Sequence, residues 1–228
     1  AINIMTNNTI NSRPDISIIV AARNEEKYVE RCLRSLTTQN LDNISCQVVL
    51  VDDASTDRTE EVVRKYFPEV FLIKNKKNLG LPQSLNIGIK SCSSQYVVRV
   101  DADDFVDSNF IKFLYIMLSE NTEFQAVFCD YYLINKDEKR IERKDSSINP
   151  IACGIMFKRD VLIDLGLYDP EFLMREEEEL MLRFDNNRYK KIHLPIPLYR
   201  YRMHDYNMTQ NLNKIKKYKK KIKLKHNF

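Results

Sequence analysis

The feature that most limits the fold is a strict alternation, through the first half of the chain, of short apolar runs with amphipathic stretches. Residues 15–22 read DISIIVAA, 46–51 read CQVVLV, 70–73 read VFLI and 96–100 read YVVRV. Each run is rich in β-branched residues and too apolar to keep one wet face, as expected of strands covered on both sides. Between the first two, residues 27–38 set Tyr28, Val29, Cys32, Leu33 and Leu36 at helical spacing. A second helix is expected through Val62, Val63 and Phe67, capped by Ser55 or Thr56 and stopped near Pro68. A third covers residues 81–91. With short links and no hairpin signal, this pattern predicts an α/β fold whose parallel sheet carries helices on both faces.

In such a sheet, ligands bind beyond the carboxyl ends of the strands. That rule brings three polar loops to one edge: Arg23-Asn24-Glu25, Asp52-Asp53, and Asp101-Ala102-Asp103-Asp104. Carboxylates as dense as Asp101, Asp103 and Asp104 repel one another, and closing a core does not ask for them. They suit a hard divalent cation, Mn²⁺ or Mg²⁺, held through carboxylates and substrate phosphates. The plainer alternative is a solvated acidic turn leading to a helix that starts near Asp107-Ser108.

Beyond Asp104 the pattern loosens. Helices are expected over 110–119, 159–165 and 175–186, and strands over 126–134, 155–157 and 193–202, with 140–147 a return strand or a loop. Pro195 and Pro197 suit an edge strand. Glu176-Glu177-Glu178-Glu179 opens a helix, where acidic side chains complement the helix dipole. One turned inward would serve as a general base.

Composition narrows the classes. The 228 residues are 43% hydrophobic and 30% charged, as in a soluble globular protein, with no apolar run long enough to span a membrane. Residues 1–14 read as a flexible leader without a signal-peptide pattern. The five cysteines are scattered without a C-x-x-C pair, which favours buried thiols in a reducing, cytoplasmic setting over disulfides or a zinc knuckle. Eight lysines between Lys214 and Lys225 exceed the net charge of +4, so the remaining chain is mildly acidic. The basic tail over 211–228 has three readings: a solvated terminus, a membrane-surface helix with Leu212, Ile215, Tyr218 and Ile222 among the lysines, or, least supported, a nucleic-acid contact.

The motifs in order resemble the family 2 glycosyltransferases: residues 18–25 (IIVAARNE), 51–57 (VDDASTD), Asn78-Leu79-Gly80-Leu81-Pro82 through Asn86-Ile87-Gly88, Asp101 to Asp104, and 166–172 (GLYDPEF) leading into the glutamate run. The similarity covers about residues 15–205. It implies the GT-A fold, a Rossmann-like, mostly parallel sheet flanked by helices with a smaller mixed acceptor-side region. Residues 15–210 would form one domain, with a nucleotide-sugar half to 104 and an acceptor half beyond.

By that resemblance, Ala22, Arg23 and Glu25 line the nucleotide pocket, and Asp53 accepts a hydrogen bond from the base, which favours UDP-sugars. Asn78, Gly80 and Asn86 shape the pocket beside ribose and sugar. Asp101 and Ala102 lie at the ribose or sugar, Asp103 holds the metal, and His204 matches a late histidine that helps hold metal or diphosphate. Ala152, Cys153 and Gly154 lie near sugar and acceptor. The family's base is the Asp of a Glu-Asp pair, here Glu176-Glu177; Glu177 is the first choice, with Glu176 and Glu178 one register away.

The expected reaction is inverting transfer of a single sugar to a glycan or lipid-linked acceptor, as in polysaccharide or lipopolysaccharide synthesis, since the Gln-x-x-Arg-Trp motif of processive relatives is missing. The enzyme would be of hexosyl- or N-acetylhexosaminyltransferase type, with its lysine-rich tail at an anionic membrane surface. A sugar nucleotidyltransferase would want glycines where Ala21-Ala22-Arg23 stands, and a haloacid-dehalogenase-type phosphatase a D-x-D-x-T after the first strand. The competing non-enzymatic reading is a nucleotide- or glycan-binding module that has lost its base.

Overall fold

The structure is a computed structural model that describes residues 13–203 and 212–226, with the side chains of 212–214 excepted. The leader up to residue 12 and His204 lie outside the described residues. The first half alternates as β1 (Ile16–Ala22), α1 (Val29–Thr37), β2 (Cys46–Asp52), α2 (Thr59–Tyr66), β3 (Phe71–Lys74), α3 (Leu81–Ser91) and β4 (Tyr96–Arg99). The second comprises β5 (Phe105–Val106), α4 (Phe110–Glu120), β6 (Ala126–Ile134), β7 (Arg140–Lys144), β8 (Ile155–Lys158), α5 (Arg159–Asp164), α6 (Glu176–Asn186), β9 (Lys191–Arg202) and α7 (Leu212–His226).

One nine-stranded sheet runs through both halves in the order β3-β2-β1-β4-β8-β6-β9-β5, with β7 on β6. The pairs β3/β2, β2/β1 and β1/β4 are parallel. From β8 onward the sheet is mixed. Side-chain alternation sorts the core into two layers. Ile16, Ile18, Val20, Leu50 and Val98 pack with α1, α2 and α4, whereas Ile19, Val49, Val51 and Val97 pack with α3, α5 and α6. On that second face α3 presses close to β1, since a Cβ at Gly88 would lie 2.6 Å from Ile19 Cγ2.

All five cysteines are buried thiols. The β9 prolines sit where the β6 ladder shifts register, between the Cys129–Leu194 and Asp130–Pro197 pairs. Ser55 and Thr56 do not cap α2. Asp57 Oδ1 accepts the Thr59 N–H at 2.9 Å instead, and the two hydroxyl residues are drawn to Asn24.

The lysine-rich tail corrects the expectation of a solvated terminus. It forms α7, which docks on the body through Ile222, only 3% exposed. Lys221 pairs with Glu171 at 2.8 Å, and Lys225 with Asp169 and the buried Glu179 at 2.7 and 2.6 Å. The ammonium groups of both lysines lie over the ring of buried Phe172. Tyr218 and Ile222 of α7 therefore meet the protein, while Lys216, Lys217, Lys219, Lys220, Lys223 and Leu224 face outward. Burying an Ile side chain stabilises by about 1.5–3 kcal/mol. Truncation after Gln210 is accordingly expected to lower Tm by about 5 °C. Unchanged melting in a thermal scan would refute the docking.

Candidate active site

Parallel pairing in register, Ala22 beside Asp52 and Ile19 beside Arg99, delivers the ends of β1, β2 and β4 to one edge. There the loop after β1 is laced to the loop after β2. Asn24 takes a left-handed turn (φ 59°), which an Asn tolerates. Its N–H donates to Ser55 Oγ at 3.0 Å, and its Oδ1 accepts the Thr56 N–H at 2.8 Å. The Glu25 N–H donates to Thr59 Oγ1 and the Glu26 N–H to Asp57 Oδ2. Arg23 stands exposed at the rim, Glu25 half-buried beside it, and the buried Ala22 accepts the Asp53 N–H with its carbonyl at 2.8 Å.

Asp53 is buried and organises the neighbouring loop. Its carboxylate accepts from the Asn75 side chain and from the Leu79 and Gly80 N–H groups, all at 2.8 Å. Gly80, with φ 87°, occupies a backbone region that disfavours any side chain, and a Cβ there would lie 2.8 Å from Leu173 Cδ2. Exposed Asn78 accepts a hydrogen bond from the Gly80 N–H through its own side chain.

The acidic loop after β4 is held from behind by β9. Tyr199 accepts the Asp101 N–H at 3.1 Å and donates its hydroxyl to Asp104 Oδ2 at 2.9 Å. The Arg202 N–H donates to Asp104 Oδ1, and Arg202 Nε to the Asp103 carbonyl, both at 2.7 Å. Asp104 is thereby a buried structural group, and burial pushes its carboxyl well above the usual range. Cys153 lies behind it, 3.9 Å from Oδ2, and the neighbouring Gly154 backs onto the Tyr199 ring. Ala102 is buried, whereas Asp101 and Asp103 keep partial exposure at the edge.

This arrangement leaves a surplus of negative charge. Glu25 is pushed up to about 8 by burial and by the charges of Asp103, Asp101 and Asp57. The outward donors are all hard carboxylate oxygens, the set that Mn²⁺ or Mg²⁺ takes. The residues present therefore fit such a cation on the side of Asp103 and Asp101. Asp104 and Cys153, although close to Asp101, are committed to the β9 contacts.

Arg99 joins this loop to α6. Its guanidinium donates to Asp101 through Nε (2.7 Å) and Nη2 (3.3 Å), and to Glu176 through Nη1 (2.7 Å). All four glutamates at the start of α6 have distinct fates. Glu176 is buried on Arg99, and Glu178 pairs with Arg175 at the surface. Glu179 is fully buried and held by Arg183, Lys225 and His226. Glu177 is buried and accepts the Tyr168 hydroxyl on Oε2 at 2.7 Å, while Oε1 has no partner among the described residues. Burial, opposed by Arg99 and by the Tyr168 hydrogen bond, pushes the Glu177 carboxyl up to about 7. A carboxylate near neutrality with a free oxygen can take a proton.

Asn86 is buried. Its side chain clamps the Tyr168 backbone, donating to the carbonyl at 2.7 Å and accepting the N–H at 2.9 Å. Sequence reasoning brought together Glu25, Asp53, Asp101, Asp103 and the α6 glutamates but overlooked Arg99, Tyr168 and Tyr199. A lone Arg inside an apolar strand and a Tyr nine residues before Glu177 were the available signals. Replacing Asn86 with Ala is expected to weaken turnover about tenfold with the fold retained, because the Tyr168 loop loses both clamps. Full activity in a folded N86A protein would rule this out.

Comparisons with known proteins bear on the family and the fold. The Glycosyl transferase family 2 model matches residues 17–204. An uncharacterised glycosyltransferase of Haemophilus influenzae is 29% identical over 69% of this chain and 49% of its own length. Glycosyltransferase GlyA of Streptococcus pneumoniae is 33% identical over 54% of this chain and 18% of its own length. The chain thus spans half or less of these curated relatives. Among solved structures, Staphylococcus aureus TarS with UDP-GlcNAc superposes with a TM-score of 0.75 at 20% identity, over 86% of this chain and 61% of that one. The mannosyltransferase PcManGT of Pyrobaculum calidifontis, with GDP-Man and Mn²⁺, gives 0.70 at 20% identity over 86% and 59%. At such identity these two likenesses speak for the GT-A fold, whereas the match over residues 17–204 decides the family: the chain belongs to glycosyl transferase family 2.

Proposed function

We propose that this protein transfers a single sugar from a nucleoside-diphosphate donor, with UDP-sugars favoured, to a hydroxyl of a glycan or lipid-linked acceptor, with inversion at the anomeric carbon. The observation that carries the reading is the Glu177 carboxylate, buried, raised to about 7 and keeping Oε1 unpartnered among the described residues beside the acidic edge. Glu177 takes the acceptor proton on Oε1, the acceptor oxygen bonds to the anomeric carbon, and the bond to the diphosphate breaks with its electron pair leaving on the nucleotide. Glu176 is a positioning residue, tied through Arg99 to Asp101. Arg23, Glu25, Asp53, Asn78 and Gly80 bound the nucleotide side, and Asp101 and Ala102 the ribose and sugar. Asp53 has three hydrogen bonds already, and a carboxylate offers about four acceptor positions, so room for one base N–H remains.

A divalent cation, Mn²⁺ or Mg²⁺, held by Asp103 with the late histidine His204, would stabilise the charge that develops on the departing diphosphate. Relatives support the substrate class: TarS is a poly(ribitol-phosphate) β-N-acetylglucosaminyltransferase, and PcManGT was solved with GDP-Man and Mn²⁺. In this reading the donor is a hexosyl or N-acetylhexosaminyl nucleotide, acting in cell-surface polysaccharide or lipopolysaccharide assembly. No helix among the described residues is long and apolar enough to cross a membrane. The outward lysines of α7 would instead hold a cytoplasmic enzyme against anionic lipid.

The test is a donor screen by thermal shift and diphosphate release, using UDP-, GDP-, dTDP- and CMP-sugars with Mn²⁺, Mg²⁺ or EDTA. One nucleotide is expected to give a metal-dependent shift with slow release of its diphosphate. Asp103→Asn is expected to weaken that metal-dependent binding about 100-fold or more, with melting of the free protein retained. Full turnover in EDTA would sink the metal role, and binding without any release would favour the non-catalytic module.

A further inference from the structure

The base is the end of a chain of contacts that starts on helix α3, which covers the same face of the sheet as α6. Asn86 of α3 grips the backbone of Tyr168 from both sides, with 2.7 Å and 2.9 Å hydrogen bonds. That residue follows Leu167, whose left-handed φ of 65° fixes the local turn. Tyr168 is 2% exposed, and its ring packs with α3, α5 and α6 residues. Its hydroxyl donates to Glu177 Oε2 at 2.7 Å. The other oxygen, Oε1, is buried without a partner among the described residues.

A carboxylate whose two oxygens were equally free could rotate and accept a proton on either. Here one oxygen is held by a donor whose backbone is clamped by Asn86 and whose ring is enclosed. We propose that Tyr168 is the positioning residue for transfer. By holding Oε2 through one of its lone pairs it fixes the turn of the carboxylate and leaves Oε1, with both lone pairs open, as the preferred proton acceptor, and so sets the side from which an acceptor hydroxyl approaches. Resting on the reading of Glu177 as base, the proposal adds to it an acceptor-orienting role for a residue outside the acidic motifs. Asn86, in turn, acts on the base through Tyr168.

The groups facing Glu177 are few. Arg99 comes from β4, Asp101 from the loop that follows, Glu176 from α6 itself and Tyr168 from the loop after α5. Only Tyr168 donates a hydrogen bond to the Glu177 carboxylate among the described residues. A phenol donor stabilises the carboxylate form over the neutral acid. Its removal therefore leaves a signature that a packing defect does not produce.

The experiment uses wild type, Tyr168→Phe, Glu177→Gln and the double variant, all of the full chain. Melting temperature is followed from pH 5 to pH 9 on free protein, and UDP release from UDP-GlcNAc with Mn²⁺, water serving as acceptor, is followed over the same range. Tyr168→Phe is expected to melt close to wild type at pH 5 and progressively below it above pH 7. In the Glu177→Gln background the same change is expected to give a pH-independent difference. Where turnover is measurable, the acidic limb of kcat/KM is expected to move up by about one pH unit, with the KM for donor unchanged.

A Tyr168→Phe melting deficit that is the same at every pH, or equal in both backgrounds, would overturn the positioning role while leaving Glu177 as base. Retained turnover in Glu177→Gln would overturn the base assignment, and with it this proposal. The two failures are read from different variants.

Discussion

Replacing Glu177 with Gln is expected to cut turnover about 10²–10⁴-fold with donor binding unchanged, because a positioned general base contributes that much. Wild-type kcat/KM is expected to rise through about pH 7 and level off above it, since the carboxyl is pushed up to about 7 and must be ionised to take a proton. The same group makes a second, opposite contribution to stability. Its folded value lies above the ordinary 4.5. The stability it contributes is therefore fully present below about pH 4.5 and lost as the pH rises through about 7. A shift of that size corresponds to about 3 kcal/mol for the buried carboxylate at pH 8. Glutamine carries no charge and can still accept the Tyr168 hydroxyl hydrogen. The variant is therefore expected to melt several degrees above wild type at pH 8 and nearly level with it at pH 5. A dead but more stable protein is the mark of an active-site carboxylate held at a cost to the fold. An active variant would refute the base, and a uniformly destabilised one would make Glu177 a structural residue.

The strand-helix alternation was legible because burial on both faces writes itself as uninterrupted apolar runs. Four strands and two helices of the first half fall within a residue or two of their expected places, while α2 begins at Thr59, later than a cap at Ser55 or Thr56 would start it. β5 escaped because Phe105 and Val106 are too few to show a period, and become a strand only by pairing with Arg200 and Tyr199. The acidic edge was legible for a topological reason: parallel strands send their carboxyl ends to one side whatever the loops contain. The division of labour within it was not. Asp103 and Asp104 are adjacent and alike in sequence, yet Tyr199 and Arg202, nearly a hundred residues away, draw Asp104 inward. The same holds for Glu176 to Glu179, whose roles are set by Arg99, Tyr168, Arg175 and Arg183. Composition misled at the tail: eight lysines suggest solvation, but the charge counted was the body's acidic surplus, which Asp169, Glu171 and Glu179 present to α7.

Arg99 is where fold and chemistry meet, and Arg99→Leu is expected to have the largest effect on stability of any single change at the site. The guanidinium is 6% exposed and bridges Asp101 and Glu176, carboxylates from different halves of the chain. Leucine fills much of the space but leaves two acids without their cation. Breaking a buried pair by removing one partner costs about 3–5 kcal/mol, because the remaining charge stays desolvated. In a domain of this size that lowers Tm by about 10 °C. Burial already holds the Asp101 carboxyl above its usual range against the pull of Arg99, and without that pull it moves further up. Acids raised in the folded state lose stability as pH rises, so the deficit is expected to be larger at pH 8 than at pH 5. Arg99→Lys is expected to recover part of the stability but little of the turnover, since an ammonium is a point charge and lacks the planar fork that reaches both carboxylates. Loss of turnover in the Lys variant at temperatures where it is fully folded would show that the fork aligns the acidic loop with the base. Equal melting of Arg99→Leu and wild type at both pH values would mean that the two halves are held together by packing alone.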